Sequence, residues 1–502
     1  MKNTKTPRKN ALVNAFQSHD ALTGNAAVSH STTGTAVLDF FGKGGALRSQ
    51  AASDVTRIFA SAYKEDKTLA LKVLFYLSDV RQGQGERQLF RTCFNWLAQN
   101  DGVVAKSLLA LIPEYTRFDN VLESLENTCL EKDALSLMAK QLKADMKADQ
   151  PTLCAKWAPS EQASSEMTRR LAAKLRKHMR MAPKAYRKML SGLRAQVNVV
   201  ERSMCSGEWT GINYESVPSR ASTIYRKAFG RHDPKGYTKF IGQVEKGEKK
   251  INASVLYPYD IVRSYVDGGY RVPTVDRTLE AQWKALPDYL ADNPHNGLVI
   301  ADTSESMNSS GFYGGKTSNV RPIDVAVSLA IYFAERNKGA FNGHFMVFSG
   351  QSEFLTLTGS SLAQNVHDVL AGRPCGNTNV QAAFELILEK ARKNKVPQVE
   401  MPSTLYIVSD MQFDQADPGN KRTNFEAIKA KYAASGYKMP NIVFWCINAY
   451  SDVPVKVDDK GTCLVSGCSP AILKTVLTGK VVTPWDVLIS TVMVPRYEPI
   501  TA

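Results

Sequence analysis

From residue 297 onward, apolar runs of strand length alternate with stretches of helix length, and few folds accommodate that order. The runs are Gly297–Ala301, Gly343–Phe348, Glu353–Thr358, Thr404–Ser409 and Ile442–Asn448. Helical spacing occupies Ile323–Asn337, Leu362–Leu370, Val380–Lys393, Phe425–Ala434 and Pro470–Thr478. Strands that are apolar throughout are covered on both faces, and a helix-long return between them makes neighbours parallel. The pattern predicts an α/β, doubly wound domain over residues 291–502. The two runs flanking Ser349–Ser352 predict one antiparallel hairpin at its edge.

The preceding residues follow a different grammar. Residues 1–35 are rich in Ser, Thr, Asn, Gly and Ala and are expected to form a flexible basic arm. Its start is basic but lacks the apolar core of a secretory signal. Residues 36–290 read as successive amphipathic helices. Asp54 can cap a helix carrying Val55, Ile58, Phe59 and Tyr63, and Leu69, Val73, Leu74 and Leu77 make a broad apolar face in the next. Short connections between such helices predict an α-helical, HEAT-like stacked module. Pro287–Asn296 reads as a linker between the two parts.

Charge separates the parts as well. The chain carries a formal net charge of +15. Residues 291–502 hold 19 Lys/Arg and 19 Asp/Glu, whereas residues 1–290 hold 44 basic and 29 acidic side chains. A basic excess confined to one part predicts a polyanionic partner for it. No 18-residue apolar run suggests a membrane span. The eight cysteines are scattered without metal-site spacing, and reduced thiols in a cytoplasmic protein are expected.

The run Gly297-Leu-Val-Ile-Ala-Asp-Thr-Ser-Glu-Ser-Met307 ends an apolar strand in Asp302, Ser304 and Ser306. Alternate residues of extended chain share a face, so their three oxygens can converge on one hard cation. Cys375-Gly-Asn-Thr-Asn379, before a predicted helix, offers the Thr378 hydroxyl. The strand Leu405–Ser409 ends in Asp410, with Asp414 four residues later. All three loops fall at the carboxyl ends of predicted parallel strands, where ligands collect. Mg²⁺ or Mn²⁺ is the expected cofactor.

This arrangement resembles a von Willebrand factor A domain, Rossmann-like in fold, with its metal-ion-dependent adhesion site. In that family Asp-x-Ser-x-Ser is followed by a Thr from a second loop and an Asp from a third. Asp302, Ser304, Ser306, Thr378 and Asp410 match in order, while Glu305 stands where many members have a small residue. Upstream, Asp79-Val-Arg-Gln-Gly-Gln-Gly-Glu-Arg87 and Ile112-Pro-Glu-Tyr-Thr-Arg-Phe-Asp-Asn120 resemble segments of TROVE-type helical modules. The combination is similar to the layout of Ro-family RNA-binding proteins. Lys156-Trp-Ala-Pro-Ser160 and Leu256-Tyr-Pro-Tyr-Asp260 look closer to an uncharacterised family of phages, plants and fungi with the same layout. The resemblance spans roughly residues 36–495 and implies RNA binding, with a cation-dependent docking domain.

The residues themselves admit blander readings. Arg81 to Arg87 can be a helix-connecting turn whose charges pair locally, and Arg117 with Asp119 is expected to be an intramodule ion pair. Between Glu166 and Glu201, however, there is no acidic side chain, while Arg169, Arg170, Lys174, Arg176, Lys177, Arg180, Lys184, Arg187, Lys188 and Arg194 all occur there. Arg226, Lys227 and Arg231 follow, interleaved with Tyr225, Phe229, Tyr237 and Phe240. Solvated helix faces normally mix both signs, so the run favours a nucleic-acid surface, with basic groups on phosphates and aromatics stacking bases. The expected function is non-catalytic RNA binding, with an acidic protein partner at the metal site. A metal-dependent assembly factor without nucleic acid is the alternative. No Ser/His/Asp or Cys/His set and no nucleotide-binding loop stands out, which argues against an enzyme.

Overall fold

The structure is a computed structural model describing residues 21–502 apart from 198–199, 267–272, 292–295, 309–319, 371–375, 377, 416–422, 449–451, 471, 473–475 and 477–482. A short hairpin, β1 (Ala21–Leu22) with β2 (Val28–Ser29), opens the described chain. Helices then dominate as far as Lys284. The C-terminal part holds a six-stranded sheet of β3 (Gly297–Asp302), β4 (His344–Phe348), β5 (Ser352–Thr356), β6 (Thr404–Ser409), β7 (Asn441–Cys446) and β8 (Thr462–Ser466). Their order is β5-β4-β3-β6-β7-β8, with β4–β5 antiparallel and every other pair parallel.

Five strands coincide with the apolar runs, and the edge hairpin lies where the sequence placed it. The sixth, β8, was not anticipated: Thr and Ser at its ends leave only Cys463, Leu464 and Val465 as an apolar run. The helix Pro484–Val492 was not anticipated either. The helix expected at Pro470–Thr478 falls largely outside the described residues.

The helix Pro322–Arg336 is apolar around nearly its whole circumference, and residues 322–334 are all buried. Such a helix must be covered on every side. It contacts β3, β4 and β6 and also the helix Pro258–Val266 of the helical part. Leu290 is buried, Tyr289 N donates to Tyr332 Oη (3.1 Å), and Tyr332 Oη donates to Pro287 O (2.5 Å). The stretch read as a linker is therefore, over residues 287–291, fixed to that helix. Apolar side chains of both parts belong to one continuous core.

Further contacts close the molecule from its two chain ends. The helix Ala36–Gly44 lies on β8, where Gly45 N donates to Ser466 Oγ (2.9 Å) and Ser466 Oγ donates to Phe41 O (3.2 Å). A Cβ on Gly42 would stand 2.6 Å from Leu464 Cδ2, so any side chain here would have to displace the buried Leu464. The helix Lys67–Ser78 is buried from Leu69 to Ser78, and Lys72 Nζ donates to Tyr497 O (2.8 Å). Arg496 and Tyr497 close on Asp79, itself wholly buried.

Candidate metal centre and basic surface

The chain leaves β3 first toward β4 and β5, and later builds β6, β7 and β8 on the other side of β3. The crevice between β3 and β6 is thus the point where strand order reverses, the usual ligand position of an open parallel sheet. Asp302 ends β3 and Asp410 directly follows β6. The parallel register, with Ala301 opposite Val408, brings those two ends level.

Asp302 is fully buried and tied at both oxygens: Oδ1 accepts from Ser304 N (2.9 Å) and Oδ2 from Ser409 Oγ (2.5 Å). Ser304 and Ser306 hydroxyls are 3.2 Å apart. Asp410 is also fully buried, and its Oδ1 accepts from Gln412 N (3.1 Å). The Ser306 hydroxyl lies against the Asp410 carboxylate and favours its charged form. Glu305 N donates to Gly376 O (3.4 Å), and Asp414 N donates to Thr378 O (2.8 Å), which joins the three loops at one rim. Asp302, Ser304, Ser306 and Asp410 are thereby brought together, and Thr378, buried, occupies the adjoining loop.

Two buried carboxylates in one crevice repel and desolvate each other. Loss of solvent, then the charge of Asp410, pushes the Asp302 carboxyl up to about 7. Burial likewise raises Asp410, with Asp452 adding to the effect. Asp410 Oδ2 is buried and accepts no hydrogen bond among the described residues. An unpaired acceptor of this kind is costly unless a positive group meets it. The residues fit a hard divalent cation, since carboxylates and hydroxyls are its preferred ligands. Among the described residues no three His, Cys, Asp or Glu side chains gather as a metal group, so a cation here depends on the hydroxyls as well.

Sequence reasoning missed three side chains and one segment. Ser409 looks like an ordinary strand residue, yet its hydroxyl holds Asp302. Gln412 and Asp452 are linked (Nε2 to Oδ1, 3.0 Å) beneath the rim. The largest omission is the N-terminal segment. Residues 1–20 of the expected arm lie outside the described residues, but residues 21–30 are docked on this rim. Thr23 Oγ1 donates to Phe413 O (2.6 Å), Asn25 Nδ2 to Gln412 O (2.7 Å), and Ala26 forms a bridge with Asp414. Backbone pairing of His30 with Val453 continues the attachment. A polar composition concealed this, because the segment is held by hydrogen bonds to loops more than 350 residues away.

The basic run looks different once folded. Arg170 Nε lies 2.7 Å from Glu126, and Lys174 contacts Glu126 (3.2 Å) and Glu131 (2.5 Å). Glu161 takes Arg176 (2.7 Å) and Arg187 (3.1 Å), while Arg226 pairs with Asp276 (2.7 Å). Arg169 donates to the carbonyls of Ala163 (2.8 Å) and Ser164 (2.7 Å), and Arg194 to those of Ala155 and Ala158. Within the acid-free window, Arg170, Lys174, Arg176 and Arg187 are thus paired with carboxylates from outside it. Lys177, Arg180, Lys184, Lys188, Lys227 and Arg231 are exposed and have no ion-pair partner among the described residues. Of the rings expected to stack bases, Phe229, Tyr237 and Phe240 are corrected by burial, while Tyr225 is only partly buried against them. Phe229, Tyr237 and Phe240 fill a second core with Tyr214 and Ile241, and Tyr186 is buried with its hydroxyl on Pro159 O (2.8 Å).

The two helical motifs serve as joints. Asp79 is paired with Arg496, Glu86 with Arg48 (2.5 Å), and Gly85 has φ +67°, a left-handed conformation suited to glycine. Arg117 pairs with Asp119, as the sequence suggested, and its guanidinium stands 3.7 Å over the Trp157 ring.

Fold and site together define a helical module fused to an α/β domain with paired buried carboxylates at its switch point. The chain belongs to the family described as "Domain of unknown function (DUF2828)", whose model matches residues 23–112 and 118–295, more than half of the chain. Residues 296–491 match the model described as "Domain of unknown function (DUF7788)". An "Uncharacterized protein L728" of Acanthamoeba polyphaga mimivirus is 28% identical over 511 residues, covering 93% of this chain and 86% of that protein. No helix among the described residues is long and apolar enough to cross a membrane.

Proposed function

We propose that the protein is a non-catalytic, cation-dependent docking protein, its α/β domain of the von Willebrand factor A type and its helical part a TROVE-like, repeat-like module. The observation that carries this reading is the buried Asp410 Oδ2, without a hydrogen-bond donor among the described residues, beside Asp302, Ser304 and Ser306. Asp302, Ser304, Ser306, Thr378 and Asp410 are the residues that hold Mg²⁺ or Mn²⁺ in this reading. When bound, the cation offers an acidic side chain of a partner a coordination position. The chain's own contribution is to hold the oxygens in place: Ser409 fixes Asp302, Gln412 N fixes Asp410, and burial keeps competing water out. Capture of partners on immobilised protein, with Mg²⁺ or with chelator, tests it. A partner retained only with the cation, and lost in Asp302→Ala, is expected; equal retention in all arms overturns it.

A second reading, RNA binding by the helical part, is supported by the exposed and unpaired Lys177, Arg180, Lys184 and Lys188. These groups suit phosphates, and the burial of Phe229, Tyr237 and Phe240 favours contacts to the backbone over stacking on those rings. Each phosphate contact to a single strand contributes about −0.7 to the slope of log K against log salt. Reversing these four charges is expected to flatten that slope by about 2–3, and an unchanged slope removes this surface from consideration.

A further inference from the structure

The rim of the candidate metal centre has a fourth wall that comes from the far end of the chain. Asn25, in the turn between β1 and β2, bridges two of the three rim loops. Its Nδ2 donates to Gln412 O (2.7 Å), two residues beyond Asp410, and lies 3.5 Å from Thr378 Oγ1. Gly24 N donates to Gln412 Oε1 (2.5 Å), and the same glutamine holds Asp452, whose charge bears on Asp410. Ser29 Oγ donates to Asp452 Oδ2 (3.0 Å). The hairpin therefore grips the rim at Thr378, at the loop after β6 and at Asp452.

We propose that Asn25 is a positioning residue of the cation site and that the hairpin is its built-in cover, so that cation binding and seating of residues 21–30 stabilise each other. This rests on the cation reading above. A threonine hydroxyl oxygen has two lone pairs. With one of them taken by Asn25 Nδ2, the other is left for a cation, and the hydroxyl is held in one orientation. Groups that orient a ligand in this way commonly govern metal affinity nearly as strongly as the ligands do. Linkage is reciprocal: if the seated hairpin orders Thr378 for the cation, the cation must hold the hairpin down by the same factor. An acidic partner reaching the outer position must then either displace the hairpin or approach past it. In this proposal the first route holds, and the site is opened by release of the chain's own N-terminal segment.

The test uses the full chain and Mn²⁺ alone. Titration calorimetry gives Mn²⁺ affinity for wild type, Asn25→Ala and Asp302→Ala, and amide hydrogen exchange reads protection at residues 21–30 with and without Mn²⁺. Asn25 is exposed, so its truncation leaves the core untouched. Wild type should bind Mn²⁺ and gain protection in the hairpin. Asn25→Ala should bind about tenfold more weakly and lose most of the cation-dependent protection, with its cation-free melting temperature unchanged. Asp302→Ala should bind none. If wild type binds Mn²⁺ while Asn25→Ala binds equally well and protection does not respond to the ion, the coupling is refuted and the cation reading survives. If wild type binds no Mn²⁺, both fall together.

Discussion

Replacing Arg496 with Met isolates what joins the C-terminal tail to the helical part. Asp79 is wholly buried and receives both Nε and Nη2 of Arg496, the latter at 2.9 Å. Removing one partner of a buried ion pair costs about 3–5 kcal/mol, because the remaining charge is left uncompensated. Asp79 retains Arg81 N (2.9 Å) and the Tyr497 hydroxyl (3.3 Å), which places the expectation at the low end, about 3 kcal/mol. The guanidinium also lies 4.7 Å over the Tyr115 ring, and losing that contact adds roughly 0.5–1 kcal/mol. Urea unfolding of wild type, Arg496→Met, Asp79→Asn and the double variant gives the coupling energy directly. About 2–3 kcal/mol of coupling is expected, with Asp79→Asn alone milder than Arg496→Met because it leaves no bare carboxylate. A loss below about 1 kcal/mol in Arg496→Met, or strictly additive single effects, would show that the tail is not anchored here. It would also reopen a ligand-binding role for the segment from Asp79 to Arg87.

Two further outcomes follow from the same physics. Asp302 is held near 7, above its ordinary 3.8, so the folded state binds that proton more tightly than the unfolded chain; its stabilising contribution is full below about pH 4 and is lost as pH rises through 7. In chelator, the melting temperature of wild type should fall relative to Asp302→Asn between pH 5 and 8, and added Mg²⁺ should restore wild type only; parallel pH profiles would contradict the buried-carboxylate argument. Gly85→Ala forces a side chain into φ +67° and places its Cβ 2.7 Å from the Tyr257 hydroxyl, which should destabilise by about 1–2 kcal/mol in chemical unfolding, and a neutral result would disprove a requirement for glycine there.

The sequence exposed the sheet because buried parallel strands have to be apolar along their length. It exposed Asp302, Ser304, Ser306 and Asp410 because polar groups at the ends of such strands are conspicuous. β8 escaped because Thr462 and Ser466 frame only three apolar residues. The hairpin escaped because Thr23, Asn25 and Ser29 look like solvated residues until their distant acceptors are known. The pairing within the basic run was hidden for the converse reason. Counting acids within a window cannot register Glu126, Glu131 and Glu161, which reach it through space.

By itself, then, the sequence determined a helical part followed by an alternating strand–helix part, and it set the loops from which a cation site can be built. Periodicity and strand ends are local properties, and local properties are written in order along the chain. Only the tertiary structure decided which charges are cancelled, which aromatic rings are core, and that Asn25 stands beside Thr378. Those are matters of which distant groups meet, and the shared core that brings them together is a property of the whole fold.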